Sequence, residues 1–296
     1  MLFLPFYTII IQNTEQSFHI VNMIITTTRK KSQQFVNKME KENKNSLVPA
    51  LQKAIQILNF LSEQTQPISA AEVSKLLNLP RSSVHNLLHT MLDNGVVQKN
   101  ENQQFMLGTK ILQWANALVA EQDMISKFYQ AIKQFPELEP YTLTLSTLNQ
   151  DQVIYLACKN SSLPLGITFK IGMHFPAIFT ATGKAILSTF TDAQLAPLLE
   201  NLPAPFTDTG VTSIEQIQQE MSQIRKQGYA IDNGQLRKGM YCYGIALPNK
   251  FGTAKFGLAA SLLEYEAQDQ AVVDQLLTAL KQLTEELKPT IFTQSN

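Results

Sequence analysis

The chain has 296 residues, of which 44% are hydrophobic, and its 24 Lys and Arg residues balance 24 Asp and Glu residues. This length suits two domains with sizeable cores, and the zero net charge gives no support for nucleic-acid binding through bulk positive charge. Two cysteines and four scattered histidines, without an HExxH or CxxC spacing, exclude a disulfide framework and argue against a metal site. We therefore expect a reduced, cytoplasmic protein without a metal or other cofactor.

The first 46 residues are predicted to be a disordered or non-native extension. The opening run MLFLPFYTIIIQ is apolar, but no basic residue precedes it, and it is shorter than the roughly 20 residues that span a bilayer. We therefore expect neither a signal peptide nor a membrane segment. The stretch that follows is polar and charged, as in a flexible tail. Our hypothesis is that the biological start is Met39, and the alternative is a basic arm that contacts nucleic-acid phosphates.

A helix predicted from Pro49 to Gln66 is followed by the stretch Ile68–Leu92, whose pattern indicates two short helices joined by a tight turn. Ser69 and Glu72 have the spacing of a capping box at the start of the first of these helices. Pro80 disfavours helical backbone at the residue before it, and so it separates the two helices.

The second helix of this pair has two chemically different faces. Its apolar side chains recur at helical spacing and comprise Val84, Leu87, Leu88, Met91 and Leu92. Its opposite face carries Ser82, His85, Asn86 and His89, with Arg81 at the helix start. A helix buried on one side and rich in donors and acceptors on the other suits a DNA major groove. The alternative is an ordinary amphipathic helix pair, which occurs in many folds.

A short hairpin is predicted after this helix, because Val96–Lys99 and Gln104–Leu107 flank a polar turn and Gly95 suits a helix end. Three helices followed by a hairpin make a winged helix-turn-helix, whereas the alternative for the hairpin is a plain connector. Between Val48 and Lys110, five basic residues face four acidic ones. Any affinity for DNA must therefore depend on local placement of charge and on oligomerisation.

The next helix, predicted from Thr109 to about Glu121, is apolar around much of its circumference. We interpret it as a linker helix that contacts a second copy of the chain. The alternative is packing on its own domain.

The rest of the chain predicts an α+β domain around an antiparallel sheet. The predicted strands are Thr142–Leu148, Gln152–Lys159, Ile167–Ile171, Tyr229–Asp232, Tyr241–Leu247 and Phe256–Leu262. The predicted helices are Thr182–Phe190, Asp192–Glu200, Ser213–Gln227 and Asp269–Lys288. Asn149-Gln150-Asp151 is the turn of a hairpin between the first two strands.

Two stretches of this domain carry candidate ligand-binding residues. In the first, a helix begins near the small residues Ala181, Thr182 and Gly183, where free N–H groups suit a carboxylate. Its Gly-Lys pair resembles a P-loop, but the Ser or Thr of that motif is missing, so we exclude nucleotide hydrolysis.

In the second stretch, Asp232, Cys242 and Ser261 fall on neighbouring predicted strands. Asp232 can accept a hydrogen bond from a ligand hydroxyl, and the other two can line the pocket. The alternatives are that Asp232 caps a turn and that Cys242 is a small core residue. A Cys/His nucleophile with His174 is conceivable, but no residue in the sequence orients such a pair.

At this point the chain resembles the IclR family of bacterial transcriptional regulators over about residues 50–288. The resemblance is carried by the motifs ALQKAIQILNFL, ISAAEVSKLLNLPRSSVHNLLHTML, FMLGTKIL, IGMHFPAIFTATGKAIL and GYAIDNGQLRKGMYC. It implies a GAF-like effector domain, a homodimer or dimer of dimers on a double-stranded DNA operator, and a small organic acid as effector. It also implies an effector pocket formed by Ala181 and Thr182 through their backbone, Asp232, Cys242, Ala259 and Ser261.

Several positions depart from the family pattern. Ala259 stands where some members have Ser, Lys170 where Arg is common, and Asn86 where many have Arg. After Asp232, where the family often has acidic residues, this chain has Asn233, Gly234 and Gln235. Because of these differences, the resemblance implies the class of effector and operator and not the particular effector molecule or operator sequence.

The sequence thus predicts a ligand-responsive transcriptional regulator without enzymatic activity. The predicted boundaries are 1–46 for the extension, 47–108 for the winged helix-turn-helix, 109–122 for the linker helix and 123–290 for the effector-binding domain. Predicted base contacts are Ser82, Ser83, His85 and Asn86, with His89 on the same face and Arg81 and Lys99 facing phosphate. The alternatives are a small-molecule enzyme with an accessory helix-turn-helix and a module that docks protein.

Overall fold

The computed structural model describes residues 47–120, 123–161 and 168–293. The predicted extension at 1–46 lies outside the described residues. The chain divides into two compact units at Leu118/Val119, which falls inside the predicted linker helix.

The first unit contains the predicted helices and hairpin, and its winged helix-turn-helix fold is confirmed. Its elements are α1 (Pro49–Glu63), α2 (Ala70–Leu76), α3 (Arg81–Asp93), β1 (Val97–Lys99), β2 (Phe105–Leu107) and α4 (Lys110–Ala120). The helix α1 ends three residues before the predicted position, since Pro67 disfavours helical backbone at Gln66.

Local hydrogen bonds fix the ends of the two central helices. The capping box is present: the Ser69 hydroxyl accepts from the Glu72 amide, and the Glu72 carboxylate accepts from the Ser69 amide. At the end of α3, Gly95 adopts a left-handed φ of 70°. The Val96 amide then donates to the Met91 carbonyl at 2.8 Å, which closes a Schellman motif.

The hairpin is joined to the segment between α1 and α2 by an isolated antiparallel bridge between Ile68 and Phe105. The amide of Ile68 donates to the carbonyl of Phe105 at 3.0 Å, and the reverse bond measures 2.7 Å. The side chains of this core come from all three helices and from the hairpin, and include Ile57, Phe60, Val73, Val84, Leu88, Val97 and Phe105. The wing is therefore held rigidly beside α3 and is not a plain connector.

The helix α4 packs on this core through Ile111 near its start. Further along, Leu112 is 70% exposed and Trp114 is 52% exposed. Packing within the first unit therefore leaves this part of the apolar surface uncovered.

The second unit has six further α-helices and six strands within the described residues. The helices are α5 (Asp123–Ala131), α6 (Ala181–Leu187), α7 (Asp192–Leu199), α8 (Ile214–Gln227), α9 (Glu264–Ala267) and α10 (Gln270–Thr293). The strands are β3 (Thr142–Asn149), β4 (Gln152–Lys159), β5 (His174–Pro176), β6 (Ala230–Asn233), β7 (Met240–Pro248) and β8 (Ala254–Leu263). They form one antiparallel sheet in the order β5-β4-β3-β8-β7-β6, so the predicted α+β architecture is confirmed.

The strand predicted at Ile167–Ile171 is wrong, because residues 168–171 pair with no strand. The side-chain amide of Asn160 bonds the backbone of Phe169 instead, donating to its carbonyl at 2.9 Å and accepting from its amide at 3.0 Å. A turn at Gly172, with φ of 84°, then starts the short strand β5. Of the described hydrophobic side chains in this segment, Phe169 is buried outside the sheet, whereas Ile171 is 64% exposed.

The two faces of the sheet differ in composition. One is apolar and packs on α5 and α10 through side chains such as Leu143, Leu145, Tyr243, Ile245, Leu258, Leu276 and Leu280. The other carries small and polar side chains, and these are also buried: Thr142, Thr144, Ser146, Asp232, Cys242, Ala259 and Ser261. The short helix α6, all of whose side chains are buried, lies against this second face.

Glycines allow α6 to approach the sheet closely. A Cβ atom at Gly244 would lie 2.3 Å from the carbonyl oxygen of Ala181, and one at Gly257 would lie 3.2 Å from the carbonyl oxygen of Thr182. The first distance is far inside van der Waals contact, whereas the second needs a shift of only tenths of an ångström.

Gly244→Ala is therefore expected to displace α6 and to lower the free energy of unfolding by about 3 kcal/mol or more, whereas Gly257→Ala should cost about 1 kcal/mol. Urea denaturation of the full chain followed by circular dichroism measures both. Equal losses in the two variants would contradict the proposed contact.

Candidate functional site

The polar face of α3 points away from the core of the first unit. Arg81, Ser82, His85 and Asn86 are exposed, whereas Ser83 and His89 are half-buried; Val84, Leu88 and Met91 face inward. The predicted division of the helix into two faces is confirmed. Whether the outer side chains contact DNA stays a prediction.

The wing is linked to this face through aromatic contacts. The Nζ of Lys99 lies 4.9 Å from the centre of the Phe105 ring and donates to the Gln103 side chain. The Phe105 ring meets His89 edge-on at 6.4 Å, and His89 lies 4.3 Å from His85 between ring centres. Lys99 is thus positioned on the same surface as the predicted base-contacting residues.

A small cavity lies between α6 and the polar face of the sheet in the second unit. Its lining comprises Thr144, Tyr155, Thr180, Ala181, Thr182, Asp232, Leu236, Cys242, Ala259 and Ser261. Six of the predicted effector-binding residues are therefore brought together around one space. The cavity volume is about 10 Å³, which is room for about one water molecule.

Strand register explains why three of these side chains are neighbours. Asp232 on β6 pairs with Cys242 on β7, and Cys242 pairs with Ser261 on β8. Directly opposed residues point to the same face of a sheet. The row therefore presents a carboxylate, a thiol and a hydroxyl side by side beneath α6.

Asp232 is fully buried, and only one of its two carboxylate oxygens has hydrogen-bond partners in the described residues. Its Oδ1 accepts from the amides of Gln235 and Leu236, at 2.7 and 3.3 Å, so the turn-capping interpretation is correct for this oxygen. Its Oδ2 has no hydrogen-bond partner among the described residues. Burial raises the pKa of this carboxyl to about 6, although the nearby Lys184 ammonium favours the charged form.

Cys242 is a poor candidate for a nucleophile. Its Sγ lies 3.0 Å from the Oγ of Ser261, and burial raises the pKa of the thiol well above its ordinary value. His174 is exposed on β5 at the edge of the sheet, four strands from β7. The conceivable Cys/His pair is thus not assembled, and the thiol stays protonated at neutral pH.

Gly183 does not line the cavity. Its amide donates to the Thr180 hydroxyl at 3.0 Å, and a Cβ atom there would lie 2.2 Å from the carbonyl oxygen of Ala177. The structure thus accounts for this glycine by close packing. The predicted effector-binding role of Gly183 stays a prediction, without a free amide to support it.

Lys184 belongs to the surroundings of the site, although in the sequence it stands out only as part of a pair that resembles a P-loop. Its buried Nζ donates to the Ile231 carbonyl at 2.9 Å and lies 3.0 Å from Glu220 Oε2. Glu220 also accepts from the side chain of Gln235 at 2.8 Å. These bonds hold the residues on both sides of Asp232, so Lys184 is a positioning residue for the carboxylate.

Four lining residues were also missed: Thr144, Tyr155, Thr180 and Leu236. The alternation of polar and apolar residues in Thr142–Ser146 was the available signal for the first of them. Alternation usually indicates that the polar side faces solvent. Here α6 covers that side.

Because the folded-state pKa of Asp232 lies above its ordinary value, the folded protein binds this proton more tightly than the unfolded chain does. Protonation of Asp232 therefore stabilises the folded state. This contribution is complete below about pH 4 and is lost as pH rises through about 6. Asp232→Asn should therefore raise the melting temperature, relative to the unmodified chain, more at pH 7.5 than at pH 4.5. Asp208→Asn, at an exposed carboxyl whose pKa the neighbouring Lys238 lowers, is the control and should show no such increase. A pH-independent difference for Asp232→Asn would contradict the assignment.

Comparison with known proteins places both units in one family. The IclR helix-turn-helix domain matches residues 50–101, and the bacterial transcriptional regulator IclR C-terminal domain matches residues 116–288. The HTH-type transcriptional regulator XynR of Escherichia coli K12 is 27% identical over 225 residues, which cover 75% of this chain and 89% of XynR.

Solved structures of related proteins have the same fold as this chain. The Agobacterium tumefaciens repressor BlcR is 36% identical with a TM-score of 0.52, over 82% of this chain and 99% of BlcR. An IclR homolog from Microbacterium hydrocarbonoxydans, complexed with 4-hydroxybenzoate, has the same fold with a TM-score of 0.69 at 14% identity, over 81% of this chain and 99% of that one.

XynR is a transcriptional regulator, and BlcR is a repressor. In the described part of the chain, no helix is long and apolar enough to cross a membrane. The domain order, the fold and the family matches agree, and the chain belongs to the IclR family of bacterial transcriptional regulators, with a helix-turn-helix DNA-binding domain followed by an effector-binding domain.

Proposed function

We propose that this regulator reads a double-stranded DNA operator with α3 and the wing, and that a small hydroxylated carboxylic acid bound beneath α6 changes its operator affinity. The observation that carries the proposal is the half-satisfied Asp232, buried in a polar cavity of a chain whose other unit is a winged helix-turn-helix.

The DNA contact is supported by the surface chemistry of α3. Ser82, His85 and Asn86 supply hydrogen-bonding groups of the kind that discriminate base edges in the major groove. Arg81, at the first turn of the helix, and Lys99, on the wing, are suited to phosphates. Ser83 and His89 lie deeper and would contact DNA only at the margin of the interface.

A two-fold assembly follows from the scarcity of basic residues. One copy of the first unit has a near balance of charges, so it should bind DNA weakly on its own. The exposed Leu112 and Trp114 on α4 offer an apolar surface for a second copy. A homodimer, or a dimer of dimers, would present two copies of α3 about 34 Å apart, one turn of DNA.

The effector class is inferred from the unpaired polar atoms of the cavity. Asp232 Oδ2 and Thr182 Oγ1 are buried without a hydrogen-bond partner in the described residues, and such atoms cost about 1–3 kcal/mol each until they are paired. An ionised Asp232 needs a donor, which a ligand hydroxyl supplies. The backbone amides of Ala181 and Thr182, in the first turn of α6, would face the ligand carboxylate. The ligand of the Microbacterium homolog has both groups.

Effector binding must enlarge the site, because the cavity holds about one water molecule. The most direct wall to move is the turn after β6, which is held by Asp232 Oδ1 and carries Leu236 in the lining. The Thr207 hydroxyl ties a neighbouring loop to this turn by donating to the Gly234 carbonyl at 2.8 Å. A ligand that competes for Asp232 would loosen both segments and so favour one conformation of the regulator over another.

Substitutions on α3 separate positioning from base recognition. Arg81→Ala should weaken binding to every duplex by about tenfold and reduce the salt dependence by about one charge. Asn86→Ala should instead relax the preference at one base pair, by about 1–3 kcal/mol. Both are measured by fluorescence anisotropy with a library of duplexes derived from DNA upstream of the gene. Lys226→Ala, an exposed cation of the second unit, is the control. An Asn86→Ala variant with unchanged sequence preference would refute the role of that residue.

Effector binding is tested by calorimetry with 4-hydroxybenzoate and related hydroxy acids, alongside gel shifts with and without each acid. The best ligand should bind Asp232→Ala at least tenfold more weakly and should no longer change its DNA affinity. Asn233→Ala, next to it but exposed, should behave like the unmodified chain. Unchanged ligand affinity in Asp232→Ala would place the effector site elsewhere.

A further inference from the structure

Two histidines form a pair on the outer face of α3. His85 and His89 are four residues apart, their ring centres are 4.3 Å apart and their planes are inclined by 33°. His85 is exposed, whereas His89 is half-buried against Phe105. Residues with this spacing lie on one side of a helix, so both rings belong to the surface that also carries Asn86.

The charged residues of α2, α3 and the hairpin are equally divided by sign. The basic ones are Lys75, Arg81 and Lys99, and the acidic ones are Glu72, Asp93 and Glu101. Neither imidazole has an ion pair with a carboxylate in the described chain. The protonation state of the two rings therefore decides whether this face is neutral or positive.

We propose that the His85–His89 pair takes up a proton when α3 docks on DNA, so that operator affinity rises as pH falls. Imidazoles in general change charge between pH 5 and 8, and nearby phosphates stabilise the cationic form. The inference rests on the proposed function, since it requires α3 to face DNA.

The geometry indicates one proton for each copy of the chain. Two cationic rings 4.3 Å apart would repel each other, so the second protonation is disfavoured. His89 faces Phe105, over which the Lys99 ammonium already lies, whereas His85 is directed to solvent. His85 is therefore the ring that a phosphate can approach directly.

The test is DNA binding by the full chain without added effector, measured by anisotropy with a labelled 40-base-pair random-sequence duplex from pH 5.5 to 8 at constant ionic strength. We expect binding about tenfold tighter at pH 6 than at pH 8, as for the linked uptake of one proton. The salt dependence of binding should also be steeper at pH 6, by about one charge for each bound copy. A residue with only a structural role would not move this slope.

In the double variant His85→Gln/His89→Gln, both pH effects should largely disappear. His85→Gln alone should lose most of the response, and it keeps the packing of His89 on Phe105. His174→Gln, an exposed histidine of the other unit, should retain the full response.

The inference is overturned if the double variant responds to pH as the unmodified chain does, while both bind DNA. If the unmodified chain binds no duplex at any pH, the proposed function fails and the inference falls with it. The two failures are therefore distinguishable.

Discussion

The close contact between the backbone of α6 and the sheet is the constraint on which the second unit depends. Gly244 leaves no space for a side chain beneath Ala181, and Gly183 leaves none beside Ala177. Because the helix lies so near, it buries the polar face of the sheet instead of leaving it to water. The same approach reduces the space beneath the helix to about one water molecule.

Burial of that polar face creates the chemistry of the site. Cross-strand pairing places the Asp232 carboxylate beside Cys242 and Ser261, in surroundings that favour its protonated form. Lys184 opposes this effect from the interior of α6, where Glu220 balances its charge. A carboxyl that titrates near neutral pH and has one unpaired oxygen is easily influenced by a ligand. In the proposed function, a ligand hydroxyl completes this interaction, and the tightly packed walls of the cavity move to admit the ligand.

The first unit is subject to a different constraint, because the surface formed by α3 and the wing has little positive charge for binding DNA. Its hairpin is anchored through the Ile68–Phe105 pairing, so the wing and α3 present one continuous surface. Few permanent cations lie on that surface, and the exposed apolar side of α4 offers a place for a second copy. Two-fold assembly and histidine protonation are two ways to add affinity to such a surface, and both can be regulated. Weak DNA binding by a single copy would then be an advantage, because the affinity for the operator would depend on the conformation of the assembly.

The sequence by itself determined the elements that depend on neighbours along the chain. The capping box at Ser69, the helix end at Gly95 and the faces of α3 arise from residues a few positions apart, so periodicity and turn chemistry were enough to predict them. Family motifs also identified Asp232, Cys242 and Ser261 as members of one site. Only the tertiary structure added Thr144 and Tyr155, because β3 and β4 reach the cavity through a strand order that does not follow the chain. It also decided that Phe169 is buried without a strand and that Lys184 supports the site, since burial and ion pairing depend on which distant segments pack together.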